Sequence, residues 1–406
     1  MQSPTTSTKP TTSHRWPREA KARGCRVYDS DGQVYLDAIG GYGTYNLGRA
    51  HPRLAGALAE ATARRTDQGN FPLISLEKAA LAESLARFVG GKLSVALFGV
   101  TRGESMDAAC KAARGATGRA QLLTVDGGSY GQTGFALSLS ARRDKDLYGP
   151  LIPEVGLITM NDPAELDLVG GRTAAVVLEP MQAENGCRAA TADYLRALRR
   201  RTREVGALLI IDETQTGFGR TGHRMAFQAA GIEPDILVLG ESLGGGMFPI
   251  TATLLNPAAN AFMSKNPLVH LSTFGGHDAG CRVALAALET YERIAPWEAA
   301  AASGELLGAS LRSLARRFPR LVRRIAGAGL LFSLTMTDSA VAEKLIQAAV
   351  VPRVVDGAPA PLGLLIETGR VATDSVVLRP SLLMDRNDLT TLVGLLESAL
   401  TTIQRD

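Results

Sequence analysis

Short apolar runs alternate with amphipathic helical segments across the middle of the chain, and this alternation is the feature that most constrains its fold. The runs of strand length are Ser94–Phe98, Gln121–Val125, Ala174–Leu178, Ala207–Ile211 and Ile236–Leu239. Helical patterns lie between several of them, for example over Ser105–Ala113 and Ala192–Val205. Such alternation favours a mainly parallel sheet covered by helices on both faces. Ligands of these sheets bind beyond the carboxyl ends of the strands, so residues that directly follow a strand are candidate site residues.

The pattern changes from about Pro296, and 406 residues suffice for a large domain with a smaller lobe. Two long amphipathic helices, near Ser303–Arg317 and Asn387–Thr402, flank shorter strands, and Cys25 to Asp37 resembles a hairpin. We predict an α/β fold in which residues 66–295 form the large domain. Residues 15–65, with an entrance loop, and residues 296–406 form a smaller α+β lobe. The Ser/Thr/Pro-rich residues 1–14 are expected to be a disordered tail.

Composition excludes several classes of partner. Lys+Arg 44 against Asp+Glu 40 gives a net charge of only +4, and no basic stripe appears, so we expect no nucleic-acid partner. No apolar run reaches the roughly 18–20 residues of a membrane span, and the first residues lack the apolar segment of a signal peptide. The four cysteines lie far apart without the spacing of metal ligands, so we expect reduced thiols, no metal site and a cytoplasmic location.

Several motifs together are hard to obtain by chance. They are LDAIGGYGTYNLGRAHP (Leu36–Pro52), VVLEPMQAENG (Val176–Gly186), IIDETQTGFGRTG (Ile210–Gly222), PDILVLGESLGGG (Pro234–Gly246), STFGGH (Ser272–His277) and LRPSL (Leu378–Leu382). Over nearly its whole length the chain resembles the class III (ω-type) pyridoxal-phosphate aminotransferases of fold type I. The GGYGTYNLG run and PDILVLGESLGGG are most similar to putrescine and other diamine or long-chain ω-aminotransferases.

The resemblance implies roles for individual residues. Asp212 matches the carboxylate that pairs with the pyridinium nitrogen of the cofactor, and Gln215 matches the residue that bonds its phenolic oxygen. Thr273 matches a residue that reaches the cofactor phosphate from the neighbouring subunit, which implies a homodimer. Glu184 matches a glutamate that faces the substrate, and Arg379 fits a contact to a carboxylate or phosphate. Glu184 and Arg379 could equally be partners in surface ion pairs.

The aromatic residues Tyr42 and Tyr45 lie in the GGYGTYNLG loop. They match family positions near the substrate entrance and suggest an apolar or long-chain substrate. Packing at the dimer interface is the alternative.

The main departure from the family is Glu241, which stands where the resemblance places the Schiff-base lysine. Asp235 and the glycines Gly244–Gly246 leave no gap by which another residue could take that position. The nearest following lysine, Lys265, falls in a predicted loop. A carboxylate cannot form an imine, but it can move a proton if its pKa lies near the working pH.

Two neighbouring motifs also differ from the family. The turn that matches the family's phosphate-binding turn reads Thr101-Arg102-Gly103-Glu104, with Arg102 in place of a glycine. The Arg102 side chain therefore either binds a phosphate or fills the space that the phosphate would occupy. The family's aromatic-His-Gly becomes Ser129-Tyr130-Gly131, and Tyr130 could stack on the cofactor or donate a proton. Three changes in one pocket favour natural divergence over a single engineered substitution.

Three hypotheses follow. In the first, the chain is an enzyme that binds pyridoxal 5'-phosphate or pyridoxamine 5'-phosphate non-covalently and acts on a small-molecule amine or aldehyde. In the second, it is a cofactor-independent cyclase or isomerase with Glu241 and Tyr130 as acid/base groups. In the third, it is a non-catalytic partner of an active aminotransferase. The Arg-rich, Lys-poor composition suggests a bacterial source with a high GC content, and hence secondary metabolism.

Overall fold

A computed structural model describes residues 16–64, 75–142, 144–355 and 360–405. The predicted tail, 1–14, and the predicted boundary between residues 65 and 66 lie outside these ranges. The division into domains therefore stays a prediction.

The strands, in chain order, are β1 (Glu19–Arg23), β2 (Arg26–Asp29), β3 (Val34–Asp37), β4 (Val95–Gly99), β5 (Gln121–Val125), β6 (Val155–Ile158), β7 (Thr173–Leu178), β8 (Met181–Gln182), β9 (Arg188–Ala189), β10 (Leu208–Asp212), β11 (Ile236–Leu239), β12 (Thr251–Leu255), β13 (Val322–Ala328), β14 (Leu331–Met336), β15 (Gly363–Leu365), β16 (Glu367–Thr368) and β17 (Ser375–Leu378). The helices are α1 (Pro52–Ala63), α2 (Leu76–Val89), α3 (Arg102–Thr117), α4 (Gly134–Leu139), α5 (Ala192–Val205), α6 (Pro257–Lys265), α7 (Asp278–Ile294), α8 (Pro296–Arg317), α9 (Ser339–Val350) and α10 (Arg386–Arg405). No described helix is both long and apolar enough to cross a membrane.

The large sheet has seven strands in the order β4-β12-β11-β10-β7-β5-β6. Only β12 runs against its neighbours, since it pairs antiparallel with both β11 and β4, whereas the β11, β10, β7, β5 and β6 pairs are parallel. Every residue of β7 and β11 is buried, because helices cover both faces of the sheet. The carboxyl ends of β4, β7, β10 and β11 therefore lie along one edge, and the chain that follows each of them reaches the same region.

Helix α3 begins at this edge for local reasons. Thr101 is its N-cap residue, and the Thr101 hydroxyl accepts a hydrogen bond from the backbone N–H of Glu104. The helix ends at Gly118, which has a left-handed backbone (φ 64°) that glycine adopts without steric cost. This start places Arg102 in the first turn, directly beyond β4.

The smaller lobe combines both ends of the chain. Strands β13, β14, β17 and β16 form one sheet, and β3 from the N-terminal hairpin pairs in parallel with β15. Leu36 of β3 is fully buried in the same apolar cluster as Leu392 and Leu396 of α10. The predicted α/β class, with a large mixed sheet and a smaller α+β lobe, is confirmed.

Candidate active site

Two neighbouring cavities lie at the carboxyl edge of the large sheet. The main cavity has a volume of about 420 Å³ and is lined by Gly41, Tyr42, Thr101, Arg102, Gly103, Ser129, Gly131, Gln132, Thr133, Arg142, Glu184, Gln215, Glu241 and Arg370. The side cavity, of about 350 Å³, is lined by Thr44, Val100, Thr101, Arg102, Glu241, Gly246, Phe248, Pro249, Ile250 and Thr251. Since Thr101, Arg102 and Glu241 line both, these residues form the partition between the two cavities.

Arg102 points across the sheet edge toward two carboxylates. Its Nε donates to Asp212 Oδ2 at 2.9 Å and its Nη2 donates to Glu179 Oε1 at 2.7 Å. Burial by itself would lower the pKa of the guanidinium, but the negative charges of Asp212 and Glu179 outweigh burial and raise that pKa. Arg102 is therefore a permanent cation held in front of Asp212.

Asp212, at the end of β10, uses both of its carboxylate oxygens on protein donors. Oδ1 accepts from the backbone N–H of Thr214 at 2.9 Å and from the Thr214 hydroxyl at 2.6 Å, while Oδ2 accepts from Arg102. The residue is 1% exposed. Three protein donors thus occupy this carboxylate, which can accept about four hydrogen bonds.

Glu179 is a site residue that the sequence analysis did not select. It directly follows β7, and its Oε2 accepts from the backbone N–H of Ser129 at 2.9 Å. Burial raises the pKa of its carboxyl group, although the charge of Arg102 acts in the opposite direction. Its position at the carboxyl end of a central strand is the signal that could have identified it.

Glu241 follows β11 and has a left-handed backbone, with φ 44°. Its side chain is half-buried, and the Thr44 hydroxyl donates to its Oε2 at 3.4 Å. No salt bridge within the described ranges reaches it, since Arg102 is bonded to Asp212 and Glu179 instead. Burial raises the pKa of Glu241 above its ordinary value of 4.5, while the charge of Arg102 acts to lower it. The result is a carboxylate that faces both cavities without a salt bridge to any described cation.

Arg379, Glu184 and Gln215 form a second buried group beside the main cavity. Arg379 Nη2 donates to Glu184 Oε1 at 2.5 Å, and Arg379 Nε donates to Gln215 Oε1 at 2.9 Å. Gln215 Nε2 also donates to Glu184 Oε1, at 3.0 Å. Glu184 and Arg379 thus form an ion pair, but a buried one rather than a surface one.

The two loop tyrosines have different surroundings. Tyr42 lines the main cavity, and its hydroxyl donates to Glu367. Burial, together with Glu367, raises the pKa of Tyr42 to about 12, so its hydroxyl stays protonated. Tyr45 does not contribute to the lining, and the guanidinium carbon of Arg49 lies 4.2 Å from its ring centre. Only Tyr42 is therefore placed to contact a ligand in this cavity.

The placement of Tyr130 corrects the expectation that it contacts a ligand. Tyr130 is fully buried, and its hydroxyl accepts from the Thr124 hydroxyl at 3.0 Å and donates to the Val177 carbonyl at 3.3 Å. Its neighbours Ser129 and Gly131 line the main cavity, whereas the Tyr130 ring packs into the core. Burial raises the pKa of Tyr130 well above 10, so the group is neither a stacking platform nor an accessible proton donor.

The remaining predicted residues lie at different distances from the cavity. Thr101 and Gly103 line it, as the resemblance implies. Thr273 is exposed and lines neither cavity within one chain. Its contact with a second subunit therefore stays a prediction.

The residues here do not fit pyridoxal 5'-phosphate as the family holds it. Position 241 offers no amine, and the carboxylate that would pair with the pyridinium nitrogen, Asp212, is already bonded by Arg102 and Thr214. Gln215, which would bond the phenolic oxygen, is engaged by Arg379 and Glu184. A pyridinium nitrogen would compete for Asp212 with the Arg102 guanidinium, which is hydrogen-bonded to two carboxylates.

Comparison with known proteins places the chain among aminotransferases. The model of the family described as aminotransferase class-III matches residues 12–400. An uncharacterised aminotransferase of Archaeoglobus fulgidus is 37% identical over 320 residues, which cover 79% of this chain and 75% of that protein. A putrescine aminotransferase of Pectobacterium atrosepticum is 36% identical over 322 residues, covering 75% of this chain and 67% of that protein.

Solved structures show the same fold. A Bacillus anthracis aminotransferase superposes with a TM-score of 0.88 at 26% identity, covering 98% of this chain and 96% of that chain. An amine transaminase from an uncultivated Pseudomonas species, in its pyridoxal-phosphate-bound internal aldimine form, gives 0.87 at 25% identity, covering 99% and 98%. The family match over nearly the whole length and the shared fold lead to one conclusion: the chain belongs to the class III aminotransferase family.

Proposed function

We propose that this chain is an acid–base enzyme that acts on a small-molecule amine, aldehyde or imine without forming a Schiff base to the protein. Glu241 carries the proton. The observation that supports this best is that Glu241 faces both cavities and has no salt-bridge partner in the described part of the chain. A glutamate kept only for structure would be expected to contact a cation, and the nearby Arg102 is bonded elsewhere.

Such a carboxylate can catalyse an imine–enamine isomerisation or a cyclisation. In an isomerisation, Glu241 removes a proton from the carbon next to the C=N bond and, after exchange with solvent, gives a proton to another atom of the substrate. In a cyclisation, an amine attacks an aldehyde of the same molecule, and water leaves after proton transfers. Neither reaction needs an oxidant or a reductant. The raised pKa of Glu241 suits this proton transfer, because a catalytic acid or base works best when its pKa lies near the working pH.

The contacts of Arg102 favour the cofactor-independent form of this proposal over non-covalent binding of pyridoxal or pyridoxamine phosphate. Arg102 supplies the positive charge beside Asp212 that a pyridinium ring would otherwise supply. If a pyridinium ring took its place beside Asp212, the buried Arg102 guanidinium would lose that carboxylate, at a cost of several kcal/mol. A fold that binds the cofactor would therefore have to move the Arg102 side chain first.

The direct test is Glu241→Gln, which keeps the shape and one acceptor oxygen but cannot exchange a proton. A panel of amines, aldehydes and cyclic imines is incubated in heavy water, and both product formation and deuterium incorporation at carbon are followed by NMR with and without pyridoxal phosphate. We expect wild-type turnover without added cofactor and a loss of about 10²- to 10⁴-fold in the variant.

Glu305→Gln is the matched control, because Glu305 is exposed on α8 and lines neither cavity. Full turnover by Glu241→Gln would remove the proton-carrier role. Turnover only with added pyridoxal phosphate would favour the non-covalent cofactor hypothesis. No turnover on any compound would favour a non-catalytic partner of an active aminotransferase.

We further propose that the protein works as a cytoplasmic homodimer in bacterial secondary metabolism. Leu268, Leu271 and Phe274 are 63%, 64% and 63% exposed beside Thr273, an apolar surface that a second copy would cover. All four cysteines are free and buried, as expected for a reducing compartment. Light scattering at micromolar concentration tests the assembly, and a monomer would refute a site shared between subunits.

A further inference from the structure

The guanidinium of Arg102 keeps one nitrogen open to a ligand, although two carboxylates hold the group. A guanidinium has five N–H groups, and the bonds to Asp212 and Glu179 use one on Nε and one on Nη2, which lie on the same edge. Nη1 has no hydrogen-bond partner in the described ranges, and it does not belong to their side-chain nitrogens that are buried without one. Nη1 is therefore an accessible donor on a fixed cation.

This donor shares its surroundings with Glu241. Arg102 and Glu241 both border the main cavity and the side cavity, and the Arg102 side chain is 11% exposed. The charge of Arg102 acts on the Glu241 carboxyl group, yet no salt bridge joins the two residues. A hydrogen-bond donor and a proton acceptor thus line the same cavities, with room for a small group between them.

The charges around Arg102 favour a neutral acceptor over an anion. Three carboxyl groups, those of Asp212, Glu179 and Glu241, lie around this one guanidinium. A bound carboxylate or phosphate would add a further negative charge to a buried site that already holds more acids than this cation can neutralise. A carbonyl oxygen accepts a hydrogen bond and brings no charge, so an aldehyde or ketone suits Nη1 best.

We infer that Arg102 is a second catalytic residue, whose Nη1 donates to the carbonyl oxygen of an aldehyde or ketone substrate while Glu241 takes a proton from the carbon next to that carbonyl. The inference rests on the proposed function for the role of Glu241. It narrows the substrate to a carbonyl compound, and it gives Arg102 a task that a glycine at position 102 could not perform.

The step balances without an oxidant or a reductant. When Glu241 removes the proton, the C–H electron pair forms a C=C bond and the π pair of the C=O bond moves to the oxygen. Arg102, which stays charged, stabilises the negative charge that develops there. Since Asp212 and Glu179 hold the guanidinium in advance, little rearrangement accompanies the step. In a cyclisation, the same contact polarises the carbonyl that an amine of the same molecule attacks.

The test uses cyclohexanone labelled with ¹³C at its carbonyl carbon as the probe of the full-length protein. Infrared difference spectroscopy measures the C=O stretch of the bound ketone, which we expect at a lower frequency than in water, because a charged donor polarises the bond. Deuterium incorporation beside the carbonyl, followed by NMR in heavy water, measures proton removal. We expect wild-type protein to accelerate it.

Two variants that differ only at position 102 isolate the donor. Asp212→Asn/Glu179→Gln leaves Arg102 on neutral acceptors and should keep the lowered frequency. Adding Arg102→Met removes the donor together with both of its former counter-charges, so no charge is left buried alone. This triple variant should lose the lowered frequency and about 10²- to 10³-fold of the exchange rate relative to the double variant. Arg200→Gln, an exposed charge on α5, should change neither quantity.

Glu241→Gln separates this inference from the proposed function, because it should abolish exchange while the bound ketone keeps its lowered frequency. A lowered frequency without exchange in wild-type protein would support the carbonyl contact and count against proton transfer by Glu241. Exchange without a lowered frequency would do the reverse. A stretch in wild-type protein equal to that in water, or a lowered frequency that survives in the triple variant, would overturn the role of Arg102.

Discussion

Two arginines are held by different contacts, Arg102 in the lining of the main cavity and Arg379 behind it. Arg102 is bonded to two carboxylates, Asp212 and Glu179, which come from the ends of two neighbouring strands. Arg379 is bonded to one carboxylate, Glu184, and to the neutral amide of Gln215, while its Nη1 is buried without a hydrogen-bond partner among the described residues. Arg102 therefore contacts two carboxylates, whereas Arg379 contacts only one.

The contacts of Arg102 differ from the family pattern more than those of Arg379 do. The group around Arg379 occupies positions that match the family motif, and each member contacts the others. The group around Arg102 exists because an arginine replaces a small residue beside a carboxylate that the family uses for its cofactor. Arg102 thus forms an internal ion pair with Asp212, whereas Glu241 has no salt bridge within the described ranges.

The largest loss of stability is expected from Arg102→Met, which removes the cation bonded to Asp212 and Glu179. The substitution keeps much of the volume but leaves Asp212 and Glu179 buried without their cation, so we expect a loss of about 3–5 kcal/mol in the free energy of unfolding. Urea denaturation measures it. The double variant Arg102→Met/Asp212→Asn should recover part of the loss, and a loss below about 1 kcal/mol would mean that the guanidinium does not neutralise this pair.

Arg379→Met, the corresponding change in the second buried group, should lower the free energy of unfolding by less, roughly 2–3 kcal/mol. Only one carboxylate then loses its cation, and Glu184 keeps hydrogen bonds from Gln215 Nε2 and from the Arg370 backbone N–H. The same denaturation experiment compares the two arginines directly. A larger loss for Arg379→Met than for Arg102→Met would reverse our ranking of the two groups.

Arg102→Gly restores the glycine that the family resemblance implies at this position, and the variant should bind pyridoxal phosphate beside Asp212. Asp212 Oδ2 then has no guanidinium bonded to it, so we expect retained absorbance after desalting in the variant and none in wild-type protein. Borohydride reduction followed by mass spectrometry should show no adduct at position 241 in either protein. Equal retention by both would show that Arg102 does not control access.

The smallest effect concerns the pH dependence of stability in Glu241→Gln. Since the folded-state pKa of Glu241 is raised above 4.5, the folded protein binds this proton more tightly than the unfolded chain does. Stability is then lost as the pH rises from the unfolded toward the folded pKa. We expect the variant to be more stable than wild-type protein at neutral pH and equally stable below about pH 4.

Thermal unfolding between pH 4 and pH 8 checks this expectation, with Glu305→Gln as the control that should show no such trend. A variant that is both more stable and less active identifies a carboxylate kept for chemistry. A variant that is less stable at neutral pH would indicate a structural contact for Glu241.

The central strands could be predicted because each is a short apolar run buried on both faces. The observed β5 and β11 have the predicted bounds, and β10 begins and ends one residue later than predicted. The strand β12 was not predicted, although it is also a short buried run, and its antiparallel direction leaves no mark on such a run. The carboxyl ends of the strands were a sound guide to the site, since Asp212 ends β10, Glu179 directly follows β7 and Glu241 lies two residues beyond β11.

The sequence by itself determined the family resemblance, the fold class and the presence of a glutamate at position 241, because motif spacing and hydrophobic periodicity are local properties of the chain. Only the tertiary structure decided where side chains point. Arg102 meets carboxylates that lie 77 and 110 residues away, and Tyr130 turns into the core although both of its neighbours face the cavity. Those choices depend on which strands are neighbours in the sheet and on the cost of burying a charge or a hydroxyl without a partner, and neither can be read from one segment.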